Sequence, residues 1–377
     1  MRYSFTDEQE QFRDFVRKFM SSHSATNAVR VQMETEQGYD RDVWKNLSES
    51  LGLPGLLIPE EYGGQGFGAI ELGIALEEMG RSLLCAPYLG SSVLATTAIL
   101  NTGTDKEKNQ LLPDLAAGKK IAALALAEPS GQWDAASIET VAQESNGNYR
   151  INGTKSFVLD GSSADYIVVV ARQENSVGEA GISFFIVDSS AAGLDKRLLD
   201  TVDETRKLSE LKFTDVAAKP LGTVGDGAEA LQQTLNLSYV ALANEMMGGA
   251  QKLLENALEY AQLRVQFGRL IGSFQSMKHK LADLLMDVEL AKSAVYYAAE
   301  AAAEGADDLP AVASLAKAFA SDTYLKVAAA CIQIHGGIGF TWENDTHLYF
   351  KRAKSSEVFL GGPDLHRERL IQNWQKS

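Results

Sequence analysis

The sequence predicts an α+β chain in three parts. These are an N-terminal helical domain over residues 1–120, a small antiparallel β domain over 121–230, and a C-terminal four-helix-bundle domain over 231–377. Three observations predict it. In the first third apolar residues recur at helical spacing, as in Phe5, Phe12, Phe15, Val16 and Phe19. From Ile121 to about Ala230, β-branched and aromatic runs are punctuated by glycine. Beyond that, Leu231 to Leu263, Phe274 to Ala303 and Leu309 to Ile334 are long Ala/Leu-rich runs with few breakers, which suit antiparallel packed helices.

Taken in order, Thr6 followed by Asp7, Glu8 and Glu10 marks a capped, acid-rich helix start, with Phe5, Phe12, Phe15, Val16 and Phe19 as one apolar stripe. Asp42 to Leu51 is a second helix, ended by Gly52 and Pro54. Glu60 to Gly66 is turn-rich. Ala69 to Met79 is helical, Cys85 to Tyr88 interrupts, Ser91 to Asn101 continues, and Thr104 to Ala117 ends at Gly118. Ile121 to Ala127, Tyr166 to Val170 and Ile182 to Val187 read as strands. Asn146-Gly147 and Asn152-Gly153 are both hairpin-type turn signals. Near the C-terminus, Gly336-Gly337 and Gly361-Gly362-Pro363 break the helical pattern twice. Such pairs either cap helix ends or let backbone approach a ligand.

Composition narrows the function. At 377 residues there is room for two or three compact units, and 45% apolar content is the usual globular share. No run reaches the ~20 apolar residues of a membrane helix, and the polar start predicts no secretory leader. A net charge of −15 disfavours nucleic acid and anionic membrane surfaces. Two cysteines, Cys85 and Cys331, form no disulfide framework or metal spacing and predict reduced thiols in a cytoplasmic protein. The dinucleotide and P-loop glycine fingerprints are missing, as are H-E-x-x-H and G-x-S-x-G. The five histidines are scattered, each more in keeping with a structural or surface role, and no metal site is expected.

What remains is a constellation. Arg264 to Gly268 (Arg-Val-Gln-Phe-Gly) follows a long helix, Phe274-Gln275 comes soon after, and Gln333 to Gly337 (Gln-Ile-His-Gly-Gly) lies downstream. A guanidinium pairs with phosphate as a charge-assisted fork, and Gly-rich backbone exposes N–H groups. Together these suit a cofactor containing pyrophosphate.

The order Glu128-Pro129, Gly153 to Gly161 (Gly-Thr-Lys-Ser-Phe-Val-Leu-Asp-Gly), Arg264 to Gly268 and Gln333 to Gly339 resembles the acyl-CoA dehydrogenase family across nearly the whole chain. The resemblance implies FAD, an acyl-CoA substrate, α,β-dehydrogenation and an electron-transferring flavoprotein as acceptor. It also implies a homo-oligomer, dimer or tetramer, in which flavin lies between one subunit's β domain and C-terminal helices, a neighbour adding the arginine and Gln-Gly-Gly elements. On that basis Leu126, Ala127, Trp133, Phe157 and Leu159 are expected on the flavin-facing strands. Arg264, Phe267, Phe274, Gln275, Gln333, Gly336 and Gly337 are expected in the half-site given to a neighbour. Tyr239, Leu360 and Gly361 are expected beside substrate.

The departures are informative. Where many members carry a glutamate base before Gly-Thr, this chain has Leu360; at the alternative helix position it has Ser238 or Tyr239. The replacement expected from sequence is Glu245, about 10 Å along the same helix from Ser238, with a cation partner or a helix–helix contact as its other role. Family hydroxyls are also replaced at Ala127, at Gly131 to Asp134, and at Phe157 to Leu159. Those gaps beside an intact donated half-site suggest a second possibility: a subunit of a hetero-oligomer, resembling members of steroid or dicarboxylate degradation, that completes an unlike subunit's FAD site. A third is a purely structural subunit. Gly248-Gly249 beside Met246-Met247 would either leave room for a bulky acyl group or allow close helix packing.

Overall fold

A computed structural model describes residues 5–374. The chain divides into two compact units.

The helical unit takes α1 (Asp7–His23), α4 (Ala69–Arg81, packed on α1) and the chain from Tyr239 onward. The other unit takes residues 30–68 and 85–238. Between α1 and α4 lie α2 (Thr26–Met33), which the sequence reading lacked, and α3 (Arg41–Leu51). α1 begins as expected: Thr6 and Gln9 form a reciprocal capping box. Its expected stripe is displaced, however. Phe15 is 64% exposed, and the buried face is Arg13, Val16 and Met20. The reason is electrostatic. Arg13 is drawn inward by Glu77 (2.8 Å) and Glu78 (3.3 Å) of α4, so a charged residue occupies the inner face.

In the second unit, α3 is capped by Asp40 and ends at left-handed Gly52. A π-helical segment, Tyr88–Ala95, runs into α5 (Thr96–Thr102), followed by α6 (Asp105–Ala116) with a capping box from Thr104 and Glu107. The strands are β1 (Ala122–Ala125), β2 (Val141–Ser145), β3 (Asn148–Leu159), β4 (Tyr166–Gln173), β5 (Ile182–Asp188), β6 (Leu194–Leu198) and β7 (Leu208–Leu221). Pairings β4–β2–β3–β7–β5–β4 close into a ring, with β1 added on β4 and β6 on β7. Closure leaves few open edges. Most pairings are antiparallel as expected, but β4 is parallel to both β1 and β2, because chain from the β2–β3 hairpin crosses before β4 forms.

The two Asn-Gly signals part company. Asn146 and Gly147 both have positive φ and make the two-residue β2–β3 hairpin turn. Asn152-Gly153 is no turn: it sits inside β3, where the pairing with β7 shifts register. A Cβ at Gly153 would fall 2.4 Å from the Thr140 hydroxyl, so glycine is needed for close approach at a bulge.

The remaining elements are α7 (Ala228–Leu263), a hairpin of β8 (Val265–Gln266) and β9 (Arg269–Leu270), α8 (Gln275–Glu304), α9 (Leu309–His335), α10 (Thr346–Val358) and α11 (Pro363–Trp374). α9 is the hub, packed against α8, α10 and α11. Its Ala313, Ala316, Ala320, Val327 and Ala328 are fully buried, and small side chains let neighbouring helices come close. The alternative of a roomy pocket at Gly248-Gly249 is overturned. A Cβ at Gly248 would lie 1.8 Å from the Glu77 carbonyl oxygen, and one at Gly249 would lie 2.3 Å from the Tyr324 hydroxyl. These glycines are spaces for α4 and α9.

Candidate functional site

In the helical unit the structure gathers the half-site expected to serve a neighbour. Tyr260 of α7 stacks on His335, the last residue of α9, with ring centroids 4.3 Å apart. Arg264 lies one turn beyond Tyr260, and Gly336 directly follows His335, so both are carried to the same end of the two helices. The hairpin then folds back, with the Ile271 amide donating to the Arg264 carbonyl at 2.8 Å. Phe267 meets Phe274 edge-on at 6.2 Å, and the Arg269 guanidinium covers the Phe274 ring at 3.9 Å. That places Phe274 and Gln275 beside the Arg264 turn.

These groups face outward. Arg264, Gln275, Gln333, Gly336 and Gly337 are exposed, and Phe267 is 92% exposed. Among the described residues, the Arg264 guanidinium has no hydrogen-bond or ion-pair partner. Gln333 is exposed on a helix whose neighbouring residues Cys331, Ile332, Ile334 and His335 are buried. A Cβ at either Gly336 or Gly337 would meet nothing within 4 Å. A guanidinium, two amides and open glycine backbone form a donor set that fits an anionic dinucleotide such as FAD.

In the β-containing unit, Leu126, Ala127, Trp133 and Leu159 are buried, whereas Phe157 is 39% exposed between buried Ser156 and Val158. A second register shift against β7, between Lys155 and Val158, produces that exposure. Phe157 has φ of +58°, unusual for a non-glycine residue. Bulges of this kind re-aim a side chain.

The expected substrate residues cluster around His366, a residue that sequence reasoning left as structural or surface. Tyr239 is fully buried, meets the His366 ring edge-on at 4.5 Å, and accepts a hydrogen bond from Arg369. His366 Nε2 pairs with the Leu360 carbonyl at 3.1 Å. Leu360, at φ +60°, is buried. Buried Lys317 donates to the Glu357 and Gly361 carbonyls, both at 3.1 Å. Burial, then the nearby Lys317 and Arg369 charges, hold the His366 pKa down to about 3. Nothing local in the sequence marks Lys317, which lies 44 residues before Gly361.

Glu245 is placed differently from expectation. It is buried, and Arg352 of α10 donates to its Oε1 at 2.6 Å. α4 lies against its backbone, since a Cβ at Gly80 would sit 1.9 Å from the Glu245 carbonyl oxygen. This is the cation-partner and helix–helix role, filled by Arg352. A carboxylate committed to a buried guanidinium is poorly disposed to take a substrate proton, so the pairing argues against Glu245 as the base.

Cys85 and Cys331 are buried and unbridged, and burial pushes the Cys331 thiol up to about 12. Among the described residues no cluster of three or more His, Cys, Asp or Glu side chains is placed to hold a metal. No described helix is long and apolar enough to cross a membrane.

The comparisons with known proteins agree over the full length. Residues 6–119, 123–216 and 225–374 match the family models for the acyl-CoA dehydrogenase N-terminal, middle and C-terminal domains. An acyl-CoA dehydrogenase of Bacillus subtilis is 33% identical, with 96% of each chain covered. The solved butyryl-CoA dehydrogenase of Megasphaera elsdenii aligns with a TM-score of 0.92 at 29% identity, covering 100% of both chains. The ChsE4-ChsE5 complex of Mycobacterium tuberculosis aligns at 0.90 and 26%, again over 100% of each. With its helical, β and helical parts in this order, the chain belongs to the acyl-CoA dehydrogenase family of FAD-dependent oxidoreductases.

Proposed function

We propose that this chain acts in the α,β-dehydrogenation of an acyl-CoA thioester to the enoyl-CoA as one subunit of a hetero-oligomer. Its unlike partner supplies the catalytic base. One observation carries the reading: no carboxylate is available where a base is expected. Leu360 and Ser238 occupy the two family positions, and Glu245 is held by Arg352. The outward-facing half-site is meanwhile complete. The likeness to ChsE4-ChsE5, a complex of two differently named chains, supports the same reading.

When bound, FAD supplies the acceptor for the substrate β-hydride. The protein's part is binding and orientation. Arg264 would hold a phosphate of the partner's flavin, and Gln275 and Gln333 would offer amides to its polar edges. The exposed backbone at Gly336 and Gly337 allows close approach. On this chain's own β domain, the Phe157 side chain and the backbone at Leu126, Ala127, Trp133 and Leu159, whose side chains are buried, would make the flavin-facing surface, with backbone N–H groups in place of the lost hydroxyls. Tyr239, Leu360 and Gly361 offer no carboxylate to accept the α-proton. The carboxylate base and the donors that stabilise the enolate oxygen belong to the partner's site. Electrons leave to an electron-transferring flavoprotein, and the complex works in the cytoplasm.

Purification with and without an unlike subunit tests this. The chain alone is expected to show no flavin bleaching with a panel of acyl-CoA thioesters, and the complex is expected to bleach. A yellow homo-oligomer that an acyl-CoA bleaches would overturn the hetero-oligomeric reading and leave the chain as a self-sufficient dehydrogenase.

A further inference from the structure

We propose that Lys155 and Glu128 are a positioning pair that sets the flavin-facing surface of the β domain, acting through the Ala127 turn and the Phe157 bulge. The proposal rests on the reading above that Ala127 and Phe157 face flavin.

The pair is built into the two segments that carry those residues. Lys155 is fully buried, and its Nζ donates to the Leu126 carbonyl at 2.9 Å and to Glu128 Oε1 at 2.8 Å. The same Glu128 oxygen accepts from the Thr140 amide at 2.8 Å, and Oε2 accepts from the Glu139 amide at 2.9 Å. One carboxylate thus ties the end of β1, the approach to β2 and the middle of β3. The Ser156 amide donates to the Ala127 carbonyl at 2.8 Å. Phe157 therefore leaves the β7 ladder from an anchored base, with Lys155 and Ser156 both bonded back to residues 126–128.

A general stabilising role explains this placement poorly. Taking two charges out of water is costly, and apolar residues of similar volume often replace a buried ion pair without loss of stability. A left-handed non-glycine residue persists only where its surroundings hold it. The bonds made by Lys155 and Glu128 fix the backbone on both sides of Phe157 and Ala127. The other charge acting on Lys155 is Arg172, which is itself bonded to the Ile138, Ser176 and Gly178 carbonyls. The lysine is thus not shared with a second carboxylate among these partners.

Glu128→Gln keeps the side-chain shape and one of the two acceptor oxygens while removing the charge that Lys155 meets. Lys155→Met combined with Glu128→Gln removes both charges and leaves no buried carboxylate. FAD is titrated into the flavin-free assembly and followed by flavin fluorescence quenching, with thermal melting of the same samples. Positioning predicts FAD binding weaker by roughly tenfold to a hundredfold in both variants, with the double variant melting within about 4 °C of wild type. Unchanged FAD affinity in the double variant overturns the proposal. Phe157→Ala checks the underlying reading. If it too leaves affinity unchanged, the flavin-facing surface is wrongly placed and the pair's role falls with it. If Phe157→Ala weakens FAD while the pair variants do not, the surface stands and only the pair's role is lost.

Discussion

Arg352 donates a hydrogen bond to Glu245 at 2.6 Å, and both side chains are buried. Removing one partner leaves an uncompensated charge in the interior, at a cost of about 3–5 kcal/mol. Arg352→Met is expected to lower stability by that amount in urea unfolding. Glu245→Gln is expected to lower the melting temperature while leaving acyl-CoA oxidation by the assembled enzyme within about threefold of wild type. A loss of several orders of magnitude in rate, with the flavin retained, would restore Glu245 as the base.

The α4–α7 contact depends on two missing methyl groups. A Cβ at Gly248 would stand 1.8 Å from the Glu77 carbonyl oxygen, and one at Gly80 would stand 1.9 Å from the Glu245 carbonyl oxygen. Both neighbours are helix backbone and cannot turn aside. Gly248→Ala and Gly80→Ala are each expected to destabilise by about 3 kcal/mol or more. Gly337→Ala, which meets open space, serves as the control in the same thermal melts.

His366 provides a pH test. Burial and the neighbouring Lys317 and Arg369 charges lower its pKa from 6.5 to about 3 in the folded chain. Between those values the unfolded chain binds a proton that the folded chain refuses. Its contribution is therefore fully present above about pH 6.5 and is lost as pH falls toward 3, by ~5 kcal/mol in all. Stability measured by urea unfolding from pH 7 to 4 should fall less steeply in His366→Gln, whose amide can still donate to the Leu360 carbonyl. Parallel pH slopes in the two proteins would refute this assignment.

Arg264 and Gln333 allow binding to be separated from folding. Both are exposed, so Arg264→Ala and Gln333→Ala should change subunit stability by no more than about 0.5 kcal/mol. Loss of a charge-assisted bond to phosphate should still weaken FAD in the assembly by about 1.5–3 kcal/mol for Arg264→Ala. Flavin content after gel filtration reads this directly. Full retention of flavin would remove Arg264 from the cofactor site.

The sequence made visible whatever is decided locally. Thr6 and Gln9 cap α1 because both partners lie within one turn. Asn146-Gly147 turns because both residues tolerate positive φ and the flanking strands have matched lengths. The identical signal at Asn152-Gly153 fails because β7 pairs on both sides of it and absorbs the irregularity as a bulge. Phe15 was misplaced because the inward pull on Arg13 comes from Glu77, 64 residues away. Glu245 and Arg352 are 107 residues apart, so a glutamate among apolar neighbours gave no sign of its partner. The residues of the candidate half-site stood out as motifs because they sit at helix ends and a tight hairpin. Lys155 and Glu128 were seen as motif letters, but their joint role needed the sheet that brings them together.

The turn of the β8–β9 hairpin holds Phe267 at φ +54° with 92% of its surface in water, flanked by exposed Leu263, Val265 and Leu270. A subunit released from the ribosome before a partner is at hand carries that apolar tip uncovered. On the proposed hetero-oligomeric reading, its soluble yield should therefore follow the ratio at which the two chains are synthesised. Matched production would protect the tip by rapid capture, and surplus copies of this chain would be the ones consigned to chaperones and proteases.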